Sequence, residues 1–367
     1  MHPQNSRQAL PKQDIQLLYQ LYKYRALSTV QVAKVMNYSI WTVYKKISQL
    51  RGQGYLYSEH IKGNYILNQA RQGNYHRISG KGISLLNLYG YKVDYTAEEL
   101  KISVYRVAYL LTVNDLIIPL AQKGWGYQDS RATKNLLSLN RGDIVQGMLT
   151  SPDEGKEYAL YIILKKARKD TLVRLKQEII RLPLERILVI ARGIDSFTSI
   201  VDSFMDKDKL IKGEAVKVLP LKIALAHLAI SDGDEENYKR YIESLGITIL
   251  GDSSNKNEFE SNVHFDYLIE CNGEEMYLMD LLGNDLMKID ELRHYRKEEY
   301  ERDGRKVLVL TSGAEFHKDL HQQLLGHMNH VEYLFVNLNE TIAFANDLSN
   351  KNVFGERVKE VLKRNRN

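Results

Sequence analysis

Two stretches of this chain set carboxylates and lysines at spacings suited to chemistry on a phosphodiester. One arrangement that can perform it is an Asp, a second acid on the next strand and a Lys two positions beyond it. The carboxylates then hold a divalent cation, and the ammonium steadies an attacking water and the developing charge. In the first stretch Asp143 and Lys165 fit, but Ile163 stands at the second acid position. In the second stretch Asp266 and Asp280 fit, and Leu282 stands where the Lys belongs. Neither set is complete, and Glu157, Glu270 or a helix-borne Lys288 are the groups that could migrate in. A degenerate site is the simpler expectation. No cofactor or metal site is therefore expected, with Mg²⁺ entering only if a site is active.

A second kind of chemistry is offered near the start. The first ninety residues hold twelve Lys and Arg against two acids, Asp14 and Glu59, whereas the whole chain is only +5. The remaining 277 residues therefore sum to a net negative charge. Apolar residues at Ile15, Leu17, Leu18, Leu21 and Tyr22 predict a helix after Pro11. Ser28 or Thr29 can cap a short helix to Met36, and Asn37-Tyr38 supplies a turn. A third helix from about Ser39 to Arg51 should stop at Gly52 and Gly54. On it Ile40, Val43, Ile47 and Leu50 share one face, so Thr42, Lys45 and Gln49 point away, flanked by Lys46 and Trp41. That outward set offers donors and acceptors for base edges and ammonium groups for phosphates. Two alternating strands, Tyr55 to Ile61 and Tyr75 to Ser79, bracket a tip with Lys62 and Arg71, and Arg77 adds a further cation. Helix, helix-turn-helix and ribbon in this order predict a winged helix in residues 1–95.

The body must position the carboxylates, and its pattern occurs twice, in residues 96–230 and 231–367. Each copy reads αβββαβαβ, a mixed sheet with helices packed on it. Matched pieces include Asp143 with Asp266, Glu157 with Glu275, Ile187 to Ile190 with Val307 to Leu310, and the ALA run at 224 with AFA at 343. SDGDEEN at 231–237 reads as a solvated linker between them.

Other chemistries are poorly supplied. His317 and His321 lie four apart on a predicted helix, but with no evident third ligand they read as a solvated face. No His-hydrophobe-His motif and no Walker phosphate loop occurs, since Gly80-Lys81-Gly82 lacks the upstream glycine spacing. Cys271 is the single cysteine, which excludes an internal disulfide and a multi-thiol zinc site. No run of eighteen apolar residues and no apolar leader is evident, so a cytoplasmic protein without membrane contact is expected. Half of the 24 tyrosines precede residue 96, where they could stack on nucleic acid or half-bury on a small domain.

The αβββαβ order with its acid positions resembles the restriction-endonuclease-like core, here as two tandem degenerate modules. The stretches LLYQLYKYRALSTVQVAKVM, QLRGQGYL and YHRISGKG resemble the opening of the replication-relaxation family. VAYLLTVNDLIIPL is similar to the segment that follows there, with Tyr109 at the family's usual His. The likeness covers roughly residues 10–190. It implies a role in replication, relaxation or mobilisation of plasmids and integrative elements, with kinship to MobC-type mobilisation proteins. In those, the acid and acid-x-Lys strands nick DNA, a role that would fall to Asp143 and Lys165 and that Ile163 breaks. The expected function is therefore sequence-specific binding of double-stranded DNA rather than catalysis, with Thr42, Lys45 and Gln49 reading bases and Lys46, Lys62, Arg71 and Arg77 holding phosphates. A Mg²⁺-dependent nickase and a transcriptional repressor are the alternatives. Relaxosome or replication proteins and a second copy of the chain are the expected partners besides DNA.

Overall fold

Ile15, Leu17, Leu18 and Leu21 recur on one face of the first helix, α1 (Lys12–Lys23), and all four are buried. The computed structural model describes residues 10–61, 73–152, 155–164, 167–205, 213–230, 235–252, 263–295 and 297–347. The chain is a mixed α/β protein with three sheets among those residues, divided into two units, Met1–Ile118 and Pro119–Asn367.

In the first unit, strand β1 (Leu27–Ser28) leads into α2 (Thr29–Met36) through a capping box. The Ser28 side chain accepts from the Gln31 backbone, and the Gln31 side chain accepts from the Ser28 backbone. Asn37 ends α2 in the left-handed conformation, φ 52°. Helix α3 (Ile40–Gly52) follows, burying Val43, Ile47 and Leu50. Strands β2 (Leu56–His60) and β3 (Asn74–Ile78) pair antiparallel, and β1 adds to the other edge of β3, giving the order β1-β3-β2. Helix α4 (Gly80–Leu88) packs so tightly on the ribbon that a Cβ on Gly82 would lie 2.4 Å from the Tyr55 carbonyl oxygen. Lys62 and Arg71 lie outside the described residues.

Helix α5 (Val104–Ala121) crosses the boundary between the units. Its Asn114 side chain, fully buried, donates to the Ala26 carbonyl at 2.6 Å, and Gln31 of α2 donates to Asp115 at 2.8 Å. The Asn-Asp pair of VNDL thus ties α5 to the α2 region, a structural reason for those residue types. By length and composition α5 could cross a bilayer, yet 56% of it is buried within the protein.

The second unit contains one pattern twice. In the first copy, β4 (Gly126–Asp129), α6 (Ser130–Leu136), β5 (Gly147–Thr150), β6 (Glu157–Ile163), α7 (Lys169–Arg181), β7 (Arg186–Ala191), α8 (Ile194–Phe204), β8 (Ala215–Pro220) and α9 (Leu221–Ile230) follow in turn. The second copy runs α10 (Glu235–Ser244), β9 (Thr248–Gly251), β10 (Tyr267–Cys271), β11 (Glu274–Asp280), α11 (Leu286–Arg293), α12 (Lys297–Asp303), β12 (Lys306–Ser312), α13 (Glu315–Leu325), β13 (Val331–Val336) and α14 (Leu338–Asp347). Both sheets are five-stranded, ordered β4-β5-β6-β7-β8 and β9-β10-β11-β12-β13. In each, the first two pairings are antiparallel and the last two parallel. The continuous apolar runs of β7 and β12 suit parallel strands covered on both faces.

Three expectations need correction. Helix α6 is an addition, built where Asp129 caps the Arg131 and Ala132 amides at 2.9 and 2.8 Å. Where the expected αβββαβαβ order has one helix after the third strand, the second copy has two, α11 and α12. Of the expected linker 231–237, residues 231–234 lie outside the described residues, and Glu235 to Asn237 already form the first turn of α10.

Candidate functional site

The basic surface is built first by what it hides. Asp14, 2% exposed, takes the Lys46 ammonium at 2.5 Å, and Glu59 takes Arg77 at 2.6 Å and the Tyr75 hydroxyl at 2.5 Å. Burial raises the Tyr75 pKa to about 12, and the hydrogen bond to Glu59 adds to the rise. Both acids of the first ninety residues are therefore neutralised internally. Lys46 and Arg77, two of the expected phosphate-holding groups, serve these pairs, and Arg77 also lies over the Tyr57 ring at 4.6 Å. Lys81 likewise donates to the Gln53 carbonyl at 2.7 Å.

What remains outward on α3 is Thr42, Lys45 and Gln49, all exposed, together with Arg51. The Thr42 hydroxyl shares a 2.9 Å hydrogen bond with Ser39, the residue that caps the helix. Trp41 is 79% exposed and Tyr44 is 55% exposed beside them. Two large aromatics on the same exposed face add apolar contact area to a cationic helix. The helical periodicity of Val43, Ile47 and Leu50 carried that information for Thr42, Lys45, Gln49 and Trp41, which lie away from the buried face, whereas Tyr44 and Arg51 lie at its flank.

The second candidate lies within the second unit. Asp266 continues the β10 ladder, its amide donating to the Leu278 carbonyl at 2.9 Å, and Asp280 ends β11. One Asp266 carboxylate oxygen accepts from the Asp280 amide at 2.7 Å, which fixes both acids at the end of the sheet where parallel strands β11 and β12 finish. The Lys position is filled by Leu282, which packs in an apolar cluster with Tyr238, Ile242 and Leu278. Beyond it Asp285 caps α11, accepting from the Met287 amide at 3.1 Å. One turn into that helix Lys288 comes back, and its ammonium donates to Asp266 at 2.5 Å. An ammonium thus reaches Asp266 from a helix rather than from the strand. Glu270, the other replacement on this copy, is exposed on β10.

Burial raises the Asp280 pKa to about 6 against the pull of Lys288, with the Asp266 charge adding to the rise. Burial would lower Lys288, but the Asp266 and Asp280 carboxylates overcome it and hold the ammonium above its ordinary value. Burial, with the Asp280 and Asp266 charges, holds the Tyr238 phenol well above its ordinary range. A lysine beside two carboxylates, one of them buried, is a donor set that suits a hard divalent cation bound by one or two carboxylates and a substrate phosphate. Asp266 and Asp280 would hold such an ion, which would polarise the phosphate.

The first copy lacks this arrangement, and strand register shows why. The Gln146 amide donates to the Leu160 carbonyl at 2.8 Å, and its side chain accepts from the Ile162 amide at 2.8 Å. These are the two bonds that Asp266 makes to Leu278 and Asp280. Gln146, not Asp143, is therefore the counterpart of Asp266, and Ile162, not Ile163, that of Asp280. Asp143 instead accepts from the Asn140 amide at 2.8 Å and faces Arg181 at 3.6 Å. Lys165 lies outside the described residues.

His317 and His321 are not a solvated face; both are fully buried. His321 bonds Thr311 at 2.6 Å and Asn284 at 3.0 Å, whereas neither ring nitrogen of His317 has a partner. Burial lowers their pKa values to about 4 and about 3, with the His321 and His227 charges contributing at His317. They are neutral core groups near neutral pH. No cluster of three or more His, Cys, Asp or Glu suited to a metal occurs among the described residues.

No family model matches the chain, and no curated protein or solved structure matches it either.

Proposed function

We propose that this protein binds double-stranded DNA at particular sequences, through the first unit, in the replication, relaxation or mobilisation of a plasmid or integrative element. The observation that carries the reading is the α3 face: Thr42, Lys45 and Gln49 stand outward while both local acids are spent on internal partners. The element order α1, β1, α2, α3, β2, β3 with sheet order β1-β3-β2 supports reading the first unit as a winged helix, a motif in which the recognition helix enters the major groove. Lys45 and Gln49 would then read base edges, with Thr42 and Trp41 at the helix start. The setting in mobile elements follows only from the resemblance of residues 10–190 to the replication-relaxation family. Replacing Lys45 and Gln49 by Ala should relax sequence preference in a selection of bound duplex fragments. An unchanged preference would overturn the assigned reading face.

A second reading is favoured by one specific observation, the convergence of Asp266, Asp280 and Lys288 at 2.5 and 2.7 Å. In this reading the second α/β module is a restriction-endonuclease-like nickase that needs Mg²⁺, and the first module is its degenerate copy. Supercoiled plasmid incubated with Mg²⁺ or Mn²⁺ separates the readings. Open circles that disappear in Asp266→Asn support catalysis; intact supercoils beside a retained gel shift leave binding alone.

A further inference from the structure

Trp41 gives the fold little of the burial that its size makes available. It stands 79% exposed in the first turn of α3, and Tyr44, three residues on, is 55% exposed, with the two rings 6.3 Å apart and inclined at 56°. An indole is among the largest apolar groups a chain can bury, so leaving it in water forgoes a large gain. Val43, Ile47 and Leu50 face inward. At about 100° per residue Trp41 lies about 150° round the helix from the centre of that buried face, and Lys45, about one turn on, about 170°. Trp41 and Lys45 therefore form the crest of α3, with Gln49 and Ser48 on its two slopes, all four exposed.

The surroundings of the indole decide what covers it. Lys45 and Arg51 are exposed on the same helix, and α3 carries no acid. The two acids of the first ninety residues are held by Lys46 and Arg77. A cationic crest with an apolar tip complements a polyanion that offers an apolar group inside a groove. The major groove of duplex DNA offers one such group on its base edges, the C5-methyl of thymine. The N-terminal residues of a recognition helix are those that meet base edges, and Trp41 is in that first turn. Unpaired bases, by contrast, stack on aromatic platforms set in a groove of the protein, whereas Trp41 tops a convex helix.

We propose that Trp41 is a specificity-determining residue that covers the C5-methyl group of a thymine in the major groove, so that the preferred site carries an A·T pair at that position. Tyr44 braces the indole from the flank of α3, and Lys45 and Gln49 read the neighbouring base edges. The inference rests on the reading of the first unit as a duplex-DNA reader and adds to it the base that Trp41 selects.

The test is selection of bound fragments from a random duplex library by the full chain, followed by anisotropy titration of the enriched duplex with deoxyuridine replacing thymidine at one position at a time. Deoxyuridine keeps every hydrogen-bonding group and every phosphate and removes only the methyl. At one position the unaltered protein should bind about fourfold more weakly, the loss expected for one buried methyl group. Trp41→Ala should abolish that difference between thymidine and deoxyuridine without moving the melting temperature, and Trp41→Phe should keep part of it. Lys45→Ala should lower affinity for both duplexes and keep the difference. An enriched duplex without thymine, equal affinity for every deoxyuridine duplex, or a difference that persists in Trp41→Ala would overturn the proposal and leave duplex recognition standing. No binding of any duplex, or enrichment of no sequence, would remove the underlying reading and the proposal with it. Tighter binding of the unpaired strand than of the duplex, lost in Trp41→Ala, would assign the indole to base stacking and overturn the thymine contact. A Trp41→Ala variant that binds all DNA like the unaltered protein would overturn it too and leave the crest to a protein partner.

Discussion

Individual side chains divide into those that hold the fold and those that oppose it. Asp280 opposes it: its folded pKa of about 6 lies above the ordinary 3.8 because burial disfavours the charge. A raised carboxyl pKa contributes stability below pH 3.8 that is lost as pH rises through about 6. Asp280→Asn should therefore stabilise the protein at pH 7.5 by about 1–3 kcal/mol in denaturant unfolding, the mark of a site residue kept at a cost. His76 works with the opposite sign. It is buried between Thr29 and Ser58, at 3.0 and 2.9 Å, and burial with the Arg51 charge lowers its pKa from 6.5 to about 4. Stability is then full above pH 6.5 and lost as pH falls towards 4, because the unfolded chain takes the proton first. His76→Gln should flatten this fall by about 2–3 kcal/mol between pH 7 and pH 4.5. Lys46 tests structure against recognition: Lys46→Met strands the buried Asp14 charge and should cost about 3 kcal/mol of stability. Loss of DNA affinity in that variant without loss of stability would contradict the internal role.

At the scale of elements, α4 gives the sharpest contrast. Gly80 and Gly82 are both glycines in its first turn, yet a Cβ on Gly80 meets open space and one on Gly82 meets Tyr55 and Ile78. Gly82→Ala should cost about 1–3 kcal/mol in unfolding experiments, and Gly80→Ala almost nothing. Equal effects would mean that α4 does not lie on the ribbon as described. Most elements were legible in the sequence because period and punctuation agreed: Ser28, Asn37 and Gly54 mark ends, and β7 and β12 are unbroken apolar runs. The failures share a cause. The segment 142–146 reads like a strand, but its pairing starts only at Gly147, so spacing alone matched Asp143 to Asp266 three residues out of register. Hydrogen-bond partners, invisible in sequence, were needed to see that Gln146 holds that place. Lys288 was legible only as one of several possible donors, because its return depends on the angle Asp285 gives to α11. Lys217 carried no signal, since it comes near the acids only when the two copies pack together.

Across the whole chain, charge and repetition are the two organising facts. Basic residues concentrate in the first unit, and the second holds two sheets of identical strand order, one of which brings Asp266, Asp280 and Lys288 together. The first copy keeps the same pairing without acids: the Gln146 side chain accepts from the Ile162 amide where Asp266 accepts from the Asp280 amide. The proposed division of labour, duplex recognition in the first unit and strand nicking in the second, leaves each separable by substitution. The most direct test of the central claim is fluorescence anisotropy of a labelled mixed-sequence duplex titrated with the full chain between about 50 and 200 mM salt. Binding should weaken steeply with salt, with log affinity falling by about 0.9 per log salt for each phosphate neutralised; Lys62→Ala, at an expected phosphate-holding residue, should reduce that slope by about one phosphate, and Lys45→Ala, at a base-reading one, should lower affinity for the preferred site. Absence of binding at the lowest salt, or a slope untouched by Lys62→Ala and an affinity untouched by Lys45→Ala and Gln49→Ala, would contradict the account.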